Sequence, residues 1–406
     1  MNNYSKTSER RGPLSGVTVL DLSSHIMGPY STQMMGDMGA DVLMVEPPAG
    51  SKSRLMGQCA HTDLSPIGLN LFRNKRSLSI DLKSAEGREA ILEIAKKFDV
   101  IVTNLRTGPL GRLGLSYEQV AESNPRVIYC HAVGFSPSSG RSNDPAYDDI
   151  IQAECGLADA AMRINGTPTL APTIMADKIC GMMVANAVIA ALYHREQSGE
   201  DRGQYIRLAM LDVMRAFTML EHGAGAMAVP PISEPGYTRV LSSARGPART
   251  ADGWINMMPY SQREYDAIFA HGGRHDLVGS DKSAGRNVQI EADFLYREMR
   301  AIIAMRPTQH WLDFCKEHSI AVGRIVSLDE IVREFPVRHH PHLGDFREIP
   351  YPVSFSDSSP EAAKPAPLIG EHSFDVLRDL GWSEARISDL QRRGLVRSPV
   401  VDALSA

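Results

Sequence analysis

The feature that most constrains this chain is an alternation that starts at residue 16. "GVTVLDLSS", "HIMGPYSTQMMGDMGA" and "DVLMVEPP" place two Val- and Leu-rich runs, a glycine turn and a helical segment within 33 residues. Gly28 supplies the turn, Pro29 suits a first helical position, and Met34, Met35 and Met38 recur at helical spacing. This is a βαβ unit, and such units feed a parallel sheet through right-handed crossovers. The pattern continues through "RSLSIDLKS", "AEGREAILEIAKKF", "DVIVTNL", "SYEQVAESN" and "RVIYCHAVGF". An open, doubly wound, Rossmann-like α/β sheet is expected over about the first 135 residues. Ligands of such sheets bind at the carboxyl ends of the strands, here residues 23–28, 46–48, 104–109 and 134–136. No G-x-G-x-x-G follows the first strand and no G-x-x-x-x-G-K-[ST] occurs, so the glycine turns that hold dinucleotides or nucleoside triphosphates are missing.

Beyond the sheet, "ADKICGMMVANAVIAALYHR" (176–195) reads as a long apolar helix that begins with one acid, Asp177. A strand over "YIRLAML" and a helix over "DVMRAFTMLEHGAGAMA" follow, and then a Pro- and Gly-rich linker. The expected organisation is a large α/β domain over 1–224 and a smaller α+β domain over 225–335. Residues 336–406 are expected to be a linker and a C-terminal segment returning to the large domain. The small domain should contain a hairpin at "RTADGWINMMP" and a late strand at "IAVGRIV".

A formal net charge of −5 offers nothing to attract nucleic acid. No run of about 18 apolar residues lacks a charge or a breaker, and the N-terminal stretch has no apolar core, so no membrane span is expected and the location is expected to be cytoplasmic. The five cysteines are dispersed and never form C-x-x-C, which argues against a disulfide frame or a zinc site. His339, His340 and His342 flank Pro341 in an expected loop without ligand spacing, so no metal is expected.

Two readings of Asp177 arise. An acid in a helix's first turn is well explained as a cap, because its carboxylate accepts free amide hydrogens there. The same place keeps a carboxylate ionised, as a nucleophile must be, with amides nearby to hold an oxyanion.

The motifs "PLSGVTVLDLSSHIMGPYSTQMMGDMGADVLMVEPPAG", "NLFRNKRSLSIDLKSAEGR", "NLRTGPLGRLGLSYEQV", "AYDDIIQAECGL", "MADKICGMMVANAVIAALYHREQSGEDRGQYIRLAMLD", "RTADGWI" and "PAPLIGEHSFDVLRDLGW", in this order, resemble the family III CoA-transferases, the CaiB–BaiF group. The group includes the formyl-CoA and carnitine CoA-transferases. The resemblance implies that Asp177 attacks an acyl-CoA thioester to give an aspartyl anhydride and then an aspartyl-CoA thioester, which an acceptor acid attacks. Gly181, one turn on, then removes a side chain that would crowd the thioester.

Coenzyme A enters as a thioester substrate, with no permanently bound cofactor. The resemblance implies contacts to it from His25, Ile26 and Met27, from Asn74, Lys75 and Arg76, from Asn104, Arg106 and Arg112, and from Phe135. It also implies an interlocked homodimer whose active site lies between the large domain of one chain and the small domain of the other. Formyl-CoA transferase carries a glycine run where this chain reads "SSARGPARTADGW" with only Gly246, which leaves Arg245 and Arg249 as candidates to meet a substrate carboxylate.

The same fold resembles α-methylacyl-CoA racemase, where a His-Asp pair supplies one of two bases. Here Tyr147 stands at the histidine's place, and a tyrosine with an ordinary pKa of about 10 is a poor base at neutral pH. Asp148 and Asp149 remain as candidate bases or as a cap and its neighbour. A CoA-binding protein without catalysis is the third reading, against which the retention of Asp177 with Gly181 argues.

Overall fold

The computed structural model describes residues 12–58, 63–358 and 363–399. Of the five cysteines, Cys59 lies outside these residues, and Cys130, Cys155, Cys180 and Cys315 are free and buried. The described residues form two compact units, one of 12–152, 172–214 and 335–399, the other of 153–171 and 215–334.

The first unit is built on a seven-stranded sheet. β1 (Thr18–Leu22), β2 (Asp41–Glu46), β3 (Lys75–Ile80), β4 (Val100–Thr103), β5 (Ile128–Val133) and β6 (Gln204–Ala209) are parallel in the spatial order 3-2-1-4-5-6. The order reverses between β1 and β4, so the crevice for a ligand lies above those two strands. The central strands are apolar on both faces, with Val19, Leu20, Val42, Leu43, Val100, Ile101 and Val102 all at 1% exposure or less. Burial by helices on both sides accounts for their unbroken apolar runs.

The antiparallel edge strand at Val396–Arg397 that extends β3 was not legible in the sequence, because two residues carry no periodicity. Residues 337–347, expected as a loop, form a hairpin of Val337–His340 and Gly344–Arg347. Its histidines are engaged in structure: the His340 ring bonds the Ala366 carbonyl at 2.8 Å and His339 bonds Asp345 at 2.8 Å. Among the described residues no group of three or more His, Cys, Asp or Glu side chains is arranged to hold a metal.

The helices Met27–Asp37 and Met175–Ser198 pack directly on each other. By length and composition alone the second is long and apolar enough to cross a membrane. Its Ala176, Cys180, Val184, Val188 and Ala191 are instead buried within the unit. Gly181 makes the close approach of the two helices possible, since a Cβ there would stand 2.8 Å from the Met27 carbonyl oxygen and 3.1 Å from the Tyr30 ring. The role expected for this glycine, clearing space for a thioester, thus gives way to helix packing. Gly181→Ala is expected to destabilise the chain by about 1–3 kcal/mol, because the backbone on the facing helix has to move. Urea unfolding would measure it.

The second unit holds the expected hairpin, Ala248–Arg249 paired with Trp254–Met258, and the late strand Ala321–Arg324 beside it. Its core gathers Tyr265, Phe269, Tyr296, Ile303 and Trp311. The boundary falls at Met214, ten residues before the expected one at 224, and residues 153–171 join this unit as well. Contacts within the unit explain that reassignment: Arg163 donates to the Pro235 carbonyl at 2.7 Å, and Thr218 approaches the Cys155 sulfur at 3.8 Å.

Candidate functional site

The loop after β1 is organised from below by a buried acid. Asp21, 1% exposed, accepts from the Ser23 amide at 3.0 Å, from Thr32 Oγ1 at 2.5 Å and from Lys75 Nζ at 3.1 Å. Above this knot His25 adopts a left-handed backbone, φ 64°, that swings its ring toward Tyr147. The two rings meet edge to face with centroids 5.6 Å apart. Across the switch point, Asn104 accepts from the Ser24 amide at 3.0 Å and donates to the Ser24 carbonyl at 2.8 Å, locking the loop after β4 to the loop after β1.

Next to Tyr147, Asp148 opens the helix Asp148–Glu154 and directs its carboxylate at the long helix. Its Oδ1 accepts the Asp177 backbone N–H at 3.0 Å, and its Oδ2 accepts from Gln152 at 2.5 Å. Gln152 also donates to the Thr173 carbonyl at 3.2 Å, which fixes the segment entering the long helix.

Of the two readings of Asp177, the capping one is not what its side chain does. The residue lies in the first turn of Met175–Ser198, but the helix has no side-chain cap from its own N-cap residue, and the Asp177 carboxylate makes no hydrogen bond among the described residues. Capping is done by Asp148, 29 residues earlier in the chain. A half-buried carboxylate is thereby left without a structural partner.

Burial, with the repulsion of Asp148 second, pushes the Asp177 pKa up from 3.8 to about 6. The sequence reading had the helix terminus holding this group ionised, and desolvation is the larger effect. At pH 7 the group is still about nine-tenths charged. Because its folded pKa lies above the unfolded value, the native state binds its proton more tightly. This group therefore lowers stability as pH rises through the window from about 4 to 6.

Asp148→Asn keeps a capping oxygen and removes the repulsion. The acidic limb of any reaction requiring ionised Asp177 should then shift to lower pH, read from a pH profile of kcat/KM.

Burial and the nearby Lys52 ammonium hold the His25 imidazole below its ordinary pKa. Ile26 and Met27, 7% and 4% exposed, point into the interior, and of these three consecutive residues only His25 offers a side chain to a ligand. Arg106 and Arg112 are exposed, without an ion-pair partner among the described residues. Phe135 is 1% exposed and one face of its ring is covered by the Arg141 guanidinium at 3.9 Å, so it is a packing residue.

Asn74, Lys75 and Arg76 are not assembled for a nucleotide. They open β3 at the amino edge of the sheet, opposite the strand ends where ligands collect. Asn74 donates to Asp37 at 2.8 Å and accepts the Lys364 amide at 2.7 Å. Lys75 has a fully buried side chain bonded to Asp21, Pro29 and Thr32. Arg76 grips Asp41 with two nitrogens at 3.0 and 2.8 Å. Cavities of about 420 and 460 Å³ lie on that edge, and of the cations that line them Arg76, Lys96, Arg126 and Arg195 are paired with Asp41, Glu93, Asp201 and Asp99. In the second unit, Arg245 and Arg249 are exposed.

The family model for CoA-transferase family III matches residues 14–373. The chain is 28% identical over 391 residues to the succinate–glutarate CoA-transferase of Agrobacterium fabrum, covering 91% of this chain and 96% of that one. It is 25% identical over 415 residues to the formyl-CoA:oxalate CoA-transferase of Shigella sonnei, covering 94% and 98%. Among solved structures, a CAIB/BAIF family protein from Brucella suis superposes with a TM-score of 0.75 at 22% identity, over 91% of this chain and 100% of that one. On the extent of the family match, this chain belongs to CoA-transferase family III and is a CoA-transferase.

Proposed function

We propose that this chain moves CoA from an acyl-CoA thioester to a carboxylic acid through covalent intermediates on Asp177. The observation that carries this reading is the unpartnered, half-buried Asp177 carboxylate, freed by Asp148 from the capping that its position in the helix would otherwise require. A carboxylate oxygen attacks the thioester carbonyl, the C–S bond breaks, and an acyl-aspartyl anhydride and CoA thiolate result. The thiolate attacks the aspartyl carbonyl and expels the first acid. An acceptor carboxylate displaces CoA from the aspartyl thioester, and the thiolate then takes the acceptor's acyl carbon, restoring Asp177.

This sequence of bond changes leaves the acceptor's bridging oxygen on Asp177. With an acceptor acid labelled in both carboxyl oxygens with oxygen-18, turnover should place the label in the Asp177 peptide by mass spectrometry. Product formation with no label there would overturn the covalent route.

The same reading includes a cytoplasmic homodimer of interlocked chains, with Arg245 or Arg249 as the candidate to meet the acceptor's carboxylate. The Pro-rich segments near 230 and 340 are compatible with such threading. A fully active species sedimenting as a monomer would remove it. On the CoA side, Arg106, Arg112 and Asn104, with His25, are the ligand-binding residues of this proposal. Their support is exposure for the two arginines and the position of His25, Asn104 and Arg106 just after the carboxyl ends of β1 and β4.

A further inference from the structure

Residues 51–55 follow β2 and are pinned on both sides of one exposed lysine. The Ser51 amide donates to Glu46 Oε2 at 2.8 Å, and Ser53 Oγ donates to the His25 carbonyl. Arg54, 1% exposed, grips Glu46 with Nε and Nη2, each at 2.7 Å, and donates through Nη1 to the Pro367 carbonyl at 2.8 Å. Between these anchors Lys52 projects to solvent with no ion pair or hydrogen bond among the described residues. A surface lysine needs no such mounting for solubility alone. Holding its backbone rigid lowers the entropy lost when it meets a ligand.

We propose that Lys52 is a phosphate-binding residue for coenzyme A, a role expected of Asn74, Lys75 and Arg76 and which those residues' other bonds preclude. The inference rests on the CoA-transferase reading above. Lys52 lies at the carboxyl edge, one residue from the Ser53 bond to the loop that carries His25, and so at the rim of the ligand crevice. The sheet order separates the β2 and β5 ends by three strand spacings, roughly 14 Å. Asp148, which caps the Asp177 helix, follows β5. A thioester at Asp177 therefore places its phosphates, at the far end of the pantetheine arm, toward the β2 side. An ammonium is a suitable point charge for a phosphate oxygen there.

Calorimetry with free coenzyme A and with pantetheine, which lacks the phosphates, tests this. Lys52→Ala should raise the Kd for coenzyme A by about 10- to 100-fold and leave pantetheine binding unchanged, as expected for one charge-assisted contact. Lys52→Arg should restore most of the affinity, and circular dichroism should find all variants equally folded. If the variant and the unmodified chain bind coenzyme A alike, or if pantetheine binding falls as much, the assignment of Lys52 is overturned while the transferase reading stands. If the unmodified chain binds no coenzyme A, the transferase reading is what fails.

Discussion

Asp177→Ala should lose at least about 10³-fold in kcat for CoA transfer while still binding coenzyme A, because in the proposed route every covalent step runs through that carboxylate. A loss of 10³ corresponds to about 4 kcal/mol of barrier, more than a positioning effect of one neutral contact would supply. Steady-state transfer assays with an acyl-CoA panel, and calorimetry with coenzyme A, separate chemistry from binding. Asp177 makes no side-chain hydrogen bond among the described residues, so the alanine variant should fold as the original does. It should even gain slightly in stability at neutral pH, where a desolvated, repelled carboxylate is otherwise held charged. Retention of near-normal kcat would end the nucleophile assignment. A loss of folding would return Asp177 to a structural role.

The largest effect on stability is expected from Glu46→Ala, at about 3–5 kcal/mol in urea unfolding. Glu46 and Arg54 are each about 1% exposed at the side chain and joined by two 2.7 Å bonds. Removing the acid leaves a guanidinium in the interior with the Pro367 carbonyl as its one remaining hydrogen-bond acceptor among the described residues and the Phe72 ring 5.1 Å away. It also removes the acceptor for the Ser77 hydroxyl proton, which bonds Glu46 at 2.5 Å, and for the Ser51 amide. Replacing both partners at once, Glu46→Leu with Arg54→Met, should cost much less than the single change, since no buried charge is then left unpaired. Because the same pair anchors the turn that bears Lys52, the folded fraction of Glu46→Ala should also bind coenzyme A more weakly. A single-variant loss below about 1 kcal/mol would mean that the site is wetter than its geometry implies.

The βαβ alternation was legible in the sequence because strand runs buried on both faces and glycine-opened helices are local patterns. The parallel sheet follows from them through the crossover rule. Asp177 stood out as a candidate too, from one acid at the head of an apolar run and from its motif. What it does there was not legible, because two roles fit the same position in a helix. Only the fold brings Asp148 across to cap that helix and so frees Asp177.

Side-chain direction was likewise hidden. Lys75 and Arg76 are adjacent cations in a motif, yet one is buried against Asp21 and the other tied to Asp41, since neighbours on a strand face opposite ways. Lys52, in a short turn without periodicity, stood out in no pattern. Its setting depends on Glu46, Arg54 and Pro367, a set spanning more than 300 residues of chain.

The sequence by itself determined the parallel strands of the sheet and the helices between them, because those depend on local periodicity and short motifs. The tertiary structure alone decided which charges are neutralised inside and which remain free for a ligand, because pairing across distant segments, and the cost of leaving a buried charge unpaired, has no signature in local sequence.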